Sequence, residues 1–245
     1  TLVDGIDIAS GGELKIALDT PMAPGLISFA GPGKSDADLR CAVAAGVVLN
    51  MESEGEMERL AVVGKSLGIV PKVAIRVNPD FELKSSGMKM GGGPKQFGVD
   101  AERVPAMLAR VGELELDFYG FHIYSGSQNL KAASLQDAHE KTFALAIRLA
   151  ADAPRPLRTL NIGGGFGIPY FPGEERLDLA AVGDNLARLL PEVYAALPGV
   201  RIDIELGRYL VAEAGVYVSR VIERKISRGA VYLITDGGLH HHLSA

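Results

Sequence analysis

The stretch TLNIGGGFGIP, residues 159–169, runs from a short apolar strand signal into three consecutive glycines, Gly163, Gly164 and Gly165. Glycine has no Cβ and loses more freedom on ordering than any other residue, so a run of three after a buried strand marks backbone that must approach something closely. Two readings are open at this point. Unencumbered amides at a strand end form a nest that holds a phosphate, and the same residues also make a tight turn with no ligand. A dinucleotide fingerprint is excluded: counted from Gly163, the last glycine of Gly-x-Gly-x-x-Gly falls on Ile168, and Pro169 stands where a helix should begin.

Outward from this stretch the chain alternates short apolar runs with helical patterns. GIDIAS (5–10) precedes GGELKIAL (11–18), LISFAG (26–31) precedes DADLRCAVAAG (36–46), and VVLNMES (47–53) precedes EMERLAVVGKSLG (56–68). KVAIRVNP (72–79), FYGFHIYSGS (118–127) and TLNIGGG (159–165) are likewise each followed by a helical pattern, and VRIDIELG (200–207) closes the series. Repeated βα units with near-continuous apolar strands predict a parallel sheet covered by helices. About seven strands are countable, and a closed (β/α)8 barrel needs eight. The expectation is therefore an α/β TIM barrel missing its first strand, with an open doubly wound sheet as the competing fold. After Gly207 the runs VYVSRVIERKI (216–226) and VYLITDGG (231–238) follow each other with no helix between them. They read as the start of an antiparallel β-domain, dividing the chain into 1–210 and 211–245.

Composition narrows the function. The 25 basic and 30 acidic residues give a net charge of -5 with no basic block, so a nucleic-acid partner is not expected. Cys41 is the only cysteine, which leaves no internal disulfide and fits a reducing cytoplasm; its helical context reads as a small buried apolar residue. No segment reaches the roughly 18 uncharged apolar residues of a membrane span, and the start lacks the features of a signal peptide. A start without Met that runs at once into a strand reads as a fragment.

In a barrel the residues that close each strand face the site. Here they include Ser10, Glu13, Lys34, Glu52, Arg76, Asn78, His122, Ser125, Asn161, Glu205, Arg208 and Asp236. SFAGPGKS (28–35) ends like a phosphate-cradling P-loop, but Ser28 stands where that motif needs glycine. His122 is either a structural strand histidine or a catalytic one, and Glu205 either an ion-pair partner of Arg208 or a functional carboxylate. His240, His241 and His242 are adjacent, and in an extended strand neighbours point to opposite faces, so no shared metal is expected.

Taken in order, these segments resemble the fold-type III pyridoxal-phosphate-dependent decarboxylases, the family of ornithine, arginine and diaminopimelate decarboxylases, whose barrel is of the alanine-racemase-like type. GIDIASGGEL (5–14) is similar to the family's Asp-x-Ala-Ser-x-x-Glu stretch, GFHIYSGSQ (120–128) to its Phe-His-x-Gly-Ser strand, LNIGGGFG (160–167) to its glycine loop, and IELGRYLVAEAG (204–215) to its Glu-Pro-Gly-Arg segment. SGMKMGGGPKQFGVD (86–100) and TDGGLHHHL (235–243) are similar to pyridoxal-dependent decarboxylases associated with exosortase gene clusters, and a related pattern occurs in decarboxylases of amino acids carried by an acyl-carrier protein. The resemblance implies pyridoxal 5'-phosphate as cofactor, with its phosphate on Gly163, Gly164 and Gly165, helped by Arg208 and Ser125. It implies Glu205 at the pyridine nitrogen, His122 against the ring face, and Asp7, Ser10, Glu13 and Arg76 in support. It further implies a homodimer with shared active sites acting on an amino acid or a carrier-protein-linked amino acid, with no metal. Leu206 stands where the family has proline. The family's Schiff-base lysine belongs to a strand before residue 1, and Lys15, Lys34 and Lys72 do not match its position. A racemase on the same barrel and a non-catalytic regulatory relative are the alternatives.

Overall fold

Short β-branched and aliphatic runs supply strands, and the first three lead into helices that a serine starts. Ser10, Ser35 and Ser53 are the N-caps of α1 (Gly11–Leu18), α2 (Asp36–Ala45) and α3 (Glu54–Leu67), each hydroxyl accepting from the amide three residues on. Gly46 and Gly68 end α2 and α3 in the left-handed conformation. The computed structural model describes residues 2–82, 88–89 and 91–241.

The strands are β1 (Ile6–Ile8), β2 (Ile27–Phe29), β3 (Val48–Met51), β4 (Lys72–Asn78), β5 (Met88–Lys89), β6 (Val99–Asp100), β7 (Asp117–Ile123), β8 (Gly126–Ser127), β9 (Thr159–Asn161) and β10 (Arg201–Asp203). They are covered by α1 to α3 and by α4 (Val104–Glu113), α5 (Ala132–Ala150) and α6 (Leu179–Ala196). Seven strands lie side by side as β1-β2-β3-β4-β7-β9-β10, and β6 pairs with the end of β4. Every pairing in this sheet is parallel. The expected partial barrel is what forms, and the doubly wound alternative is overturned because neighbours in sequence are neighbours in space, with no reversal of strand order. Phe29, Leu49, Ile75, Phe118 and Phe121 are fully buried, joining the strands to the helical layer. Each such side chain contributes about 1.5–3 kcal/mol by burial.

Cys41 is a correction. It is exposed, because α2 buries Leu39, Ala42 and Val43 and turns Cys41 to the opposite side.

The chain divides into two compact units, residues 1–209 and 210–245. In the second, β11 (Val221–Ser227) and β12 (Ala230–Thr235) form an antiparallel hairpin, with Asp236 accepting from the Arg220 amide at 2.8 Å. His240 and His241 belong to a single 3-10 turn with ring centroids 3.9 Å apart, which replaces the extended conformation expected of them; His242 lies outside the described residues. Among the described residues no helix is long and apolar enough to cross a membrane.

Candidate active site

Strand register builds the centre of the site. Arg76 of β4 pairs with His122 of β7, and His122 with Asn161 of β9, so three polar side chains sit at one level near the C-terminal ends of the strands. Asn161 in turn pairs with Asp203 of β10, which leads to Glu205 two residues later.

The His122 Nε2 and Glu205 Oε1 atoms are 2.9 Å apart. The ring of this buried histidine thus meets the carboxylate through Nε2, while its Nδ1 has no hydrogen-bond partner among the described residues. Asn161 joins the carboxylate to the glycine loop: its Nδ2 donates to Glu205 Oε1 at 2.7 Å, and its Oδ1 accepts from the Gly163 amide at 2.8 Å. The Glu205 amide closes the ring by donating to the Gly163 carbonyl at 2.8 Å.

The glycines answer different demands. Gly163 and Gly165 have φ of 73° and 82°, in the left-handed region, while Gly164 between them does not. Gly164 is required by close approach, since a Cβ there would stand 1.6 Å from the Glu205 carbonyl oxygen. Turn geometry and backbone contact thus both operate, and alternation of backbone hand is what creates an amide nest.

Arg76 is buried and held by Glu52, with Nη1 2.9 Å from Oε1, and its guanidinium lies 4.8 Å from the Phe97 ring centroid. Glu52 also accepts from the Gly31 and Gly98 amides at 2.5 and 2.8 Å, tying three strand-end segments together. Arg208 lies over the Tyr170 ring at 5.6 Å. Ser125 is buried in the segment between β7 and β8. Ser10 and Glu13 do other work: Ser10 caps α1 by accepting from the Glu13 amide, and Glu13 accepts from the Ala9 amide at 2.6 Å, which together fix the helix start beside β1.

Asp7 lies on the edge strand, open to solvent on one side. Lost hydration inside the recess raises its carboxyl to about 6, Glu205 and Asp203 add to the rise, and His122 and Ser28 oppose it; its solvent-open side tempers the first of these. Burial also opposes ionisation of Glu205, but His122, Asn161 and Arg76 outweigh it and hold that carboxyl below the usual range. Of the two acids, Asp7 therefore takes up a proton first as pH falls.

Lys34 is buried, pairs with Glu56 at 2.9 Å and donates to the Gly31 carbonyl. Lys72 begins β4, at the end opposite Arg76, and donates to the Gly46 carbonyl, while Lys15 is exposed on α1.

Sequence reasoning placed Asn161 and Glu52 at strand ends facing the site but gave them no role, and it left out Tyr124. The first two were visible as polar residues closing apolar strands. Tyr124 stands where the Phe-His-x-Gly-Ser pattern has glycine, and that departure was the signal. Its ring lies against Gly163, its hydroxyl makes no hydrogen bond with another described residue, and burial, then the Glu205 charge, keeps the phenol protonated well above neutrality.

His139 on α5 lies under the glycine loop, 6.4 Å from the Phe166 ring centroid, and burial lowers it to about 4. A base with a lowered folded value contributes stability that is present above its unfolded value and lost as pH falls, here from about 6.5 to 4; Asp7 acts in the opposite sense, its contribution fading as pH rises from about 4 to 6. Acid unfolding followed by circular dichroism should show the wild type losing up to about 3 kcal/mol more than His139→Leu as pH falls across the His139 window, the opposing Asp7 contribution being common to both. An unchanged pH profile in that variant would refute the assignment.

Parallel strands, a polar ring at their C-terminal ends and a glycine loop of alternating backbone hand define an α/β partial barrel with its candidate site at the strand ends. The model of the family described as "Pyridoxal-dependent decarboxylase, pyridoxal binding domain" matches residues 3–212. The chain belongs to this family, which uses pyridoxal phosphate. It is 36% identical over 244 residues to the L-glutamyl-[BtrI acyl-carrier protein] decarboxylase of Niallia circulans, covering 98% of this chain and 57% of that protein. It is 33% identical to the diaminopimelate decarboxylase of Aquifex aeolicus, covering 96% of this chain and 56% of the relative. The crystal structure of Helicobacter pylori diaminopimelate decarboxylase complexed with L-lysine superposes with a TM-score of 0.84 at 29% identity, covering 98% of this chain and 59% of that one. The chain thus spans somewhat over half the length of these relatives.

The residues present fit the cofactor. A buried histidine against a carboxylate whose charge its neighbours favour, beside a glycine cradle, matches a flat protonatable ring with a phosphate arm.

Proposed function

We propose that the protein is a pyridoxal-phosphate-dependent amino-acid decarboxylase, acting on a diaminopimelate- or ornithine-like amino acid or on an amino acid linked to a carrier protein. The observation that carries this is the Glu205 carboxylate held against His122 by the same asparagine that braces the glycine loop. When bound, pyridoxal phosphate supplies an electron sink for the charge left at Cα when carbon dioxide departs.

Glu205 would place a negative charge beside the pyridine nitrogen of the bound cofactor and so favour its protonated form. His122 would lie against the ring of the bound cofactor, Asn161 fixes the Glu205 rotamer, and the Gly163–Gly165 amides would hold the phosphate with Arg208 and Ser125. Arg76 lowers the local negative potential around Glu205 and is itself set by Glu52. Ser10 and Glu13 support Asp7 indirectly, by fixing the turn that follows β1. Fixed orientation decides which Cα bond is broken, and so separates decarboxylation from racemisation.

Residues 1–210 form the cofactor barrel in this reading, and 211–245 begin the β-domain. A homodimer with shared sites and a cytoplasmic location belong to it as well, the first supported by the family likeness and the second by the single cysteine.

Incubation of the protein and cofactor with diaminopimelate, ornithine and glutamate-loaded carrier protein should release carbon dioxide from at least one of them. Inversion at Cα with no carbon dioxide would favour the racemase, and no turnover of any substrate would favour the regulatory relative.

A further inference from the structure

The glycine loop is braced on two sides. Asn161 and Glu205 hold its beginning. Its far side is zipped to the segment after β8: the Asn129 amide donates to the Gly165 carbonyl at 2.8 Å, and the Gly167 amide donates to the Asn129 carbonyl at 2.9 Å. A Cβ on Gly167 would come within 2.9 Å of the Asn129 backbone, so the two segments touch main chain to main chain.

Gln128 extends this zip with its side chain. Its Nε2 donates to the Ile168 carbonyl at 2.5 Å, and its Oε1 accepts from the Ile168 amide at 3.3 Å, so a side-chain amide takes the place of a peptide unit. Gln128 does this from a φ of 56°, a conformation that costs a side chain with Cβ and persists only where the surroundings impose it. The residue is therefore held in an unfavourable backbone state while both ends of its amide grip the loop.

We propose that Gln128 is a positioning residue for the phosphate group: by clasping Ile168 it fixes the far end of the glycine loop relative to Ser125, three residues before it, and so sets the spacing between the two halves of the phosphate grip. The proposal rests on the reading of Gly163–Gly165 as the cofactor's phosphate site. Gln128 touches neither ring nor phosphate in this account and acts through Gly165, Gly167 and Ile168.

Gln128→Gly tests it, because glycine removes the clasp and also the cost of the left-handed backbone, so the fold is kept. Gln128→Ala loses the clasp and retains that cost. Binding of pyridoxal phosphate and of pyridoxal, which has no phosphate, is measured by equilibrium dialysis on the cofactor-free protein, with thermal melting recorded alongside. The expected result is a weakening of pyridoxal phosphate binding of about tenfold in Gln128→Gly with pyridoxal binding held within about twofold, and a lower melting temperature in Gln128→Ala than in Gln128→Gly. An unchanged preference for pyridoxal phosphate over pyridoxal in Gln128→Gly overturns the proposal, as does an equal loss of both ligands, which would make Gln128 merely structural. A wild-type protein with no preference for the phosphorylated ligand overturns the underlying phosphate reading instead.

Discussion

Glu205→Gln is expected to lower carbon dioxide release on the order of 10²- to 10³-fold while leaving the fold intact, the scale at which loss of one fixed electrostatic partner is felt in a reaction. Glutamine keeps the shape of the side chain and an oxygen for Asn161 Nδ2 to donate to. It loses the charge that burial opposes and that His122, Asn161 and Arg76 sustain. A second readout does not depend on turnover. Glu205 is one of the groups that raises Asp7, so the Asp7 carboxyl, followed by NMR, should titrate lower in Glu205→Gln than its wild-type value of about 6. Activity within about threefold of wild type would show that the charge at 205 is not used, since one full electrostatic interaction exceeds that factor.

Gly164→Ala carries the other large effect. A Cβ at this position meets the Glu205 carbonyl oxygen at 1.6 Å and its carbon at 2.8 Å, and neither belongs to a flexible side chain. The loop or the end of β10 must move, and the Glu205 amide bond to Gly163 moves with it. Displacement by about 1 Å is enough to cost about 10²-fold in a positioned site, so pyridoxal phosphate affinity should fall on that order. Overpacking should also destabilise the protein by about 1–3 kcal/mol. Gly183→Ala in α6 is the control: nothing lies within 4 Å of its Cβ direction, and alanine in a helix interior should be neutral or stabilising by up to about 1 kcal/mol. Equal affinities in the two variants would disprove the steric account of Gly164.

The barrel was legible because the first three strand signals are each followed by a helix with its own serine cap, two of them with a glycine stop, so local rules and global topology agree. His122, Glu205 and Arg76 were legible as polar residues on otherwise apolar strands. Their mutual placement was not, because register across β4, β7 and β9 depends on pairings between residues tens of positions apart. Ser10 and Glu13 show the opposite case, in which motif membership was plain and the local job, capping α1, emerged only from hydrogen bonds. The exposure of Cys41 was misjudged because a short alanine-rich helix has a weakly marked apolar face. The clasp of Gln128 on Ile168 spans 40 residues, and no local pattern announces it.

The most direct test of the site is a crystal structure of the protein with pyridoxal phosphate bound. The account predicts phosphate oxygens on the amides of the Gly163–Gly165 loop, the Glu205 carboxylate at the pyridine nitrogen and His122 against the ring. Cofactor bound elsewhere, or bound here with the pyridine nitrogen directed away from Glu205, would contradict it.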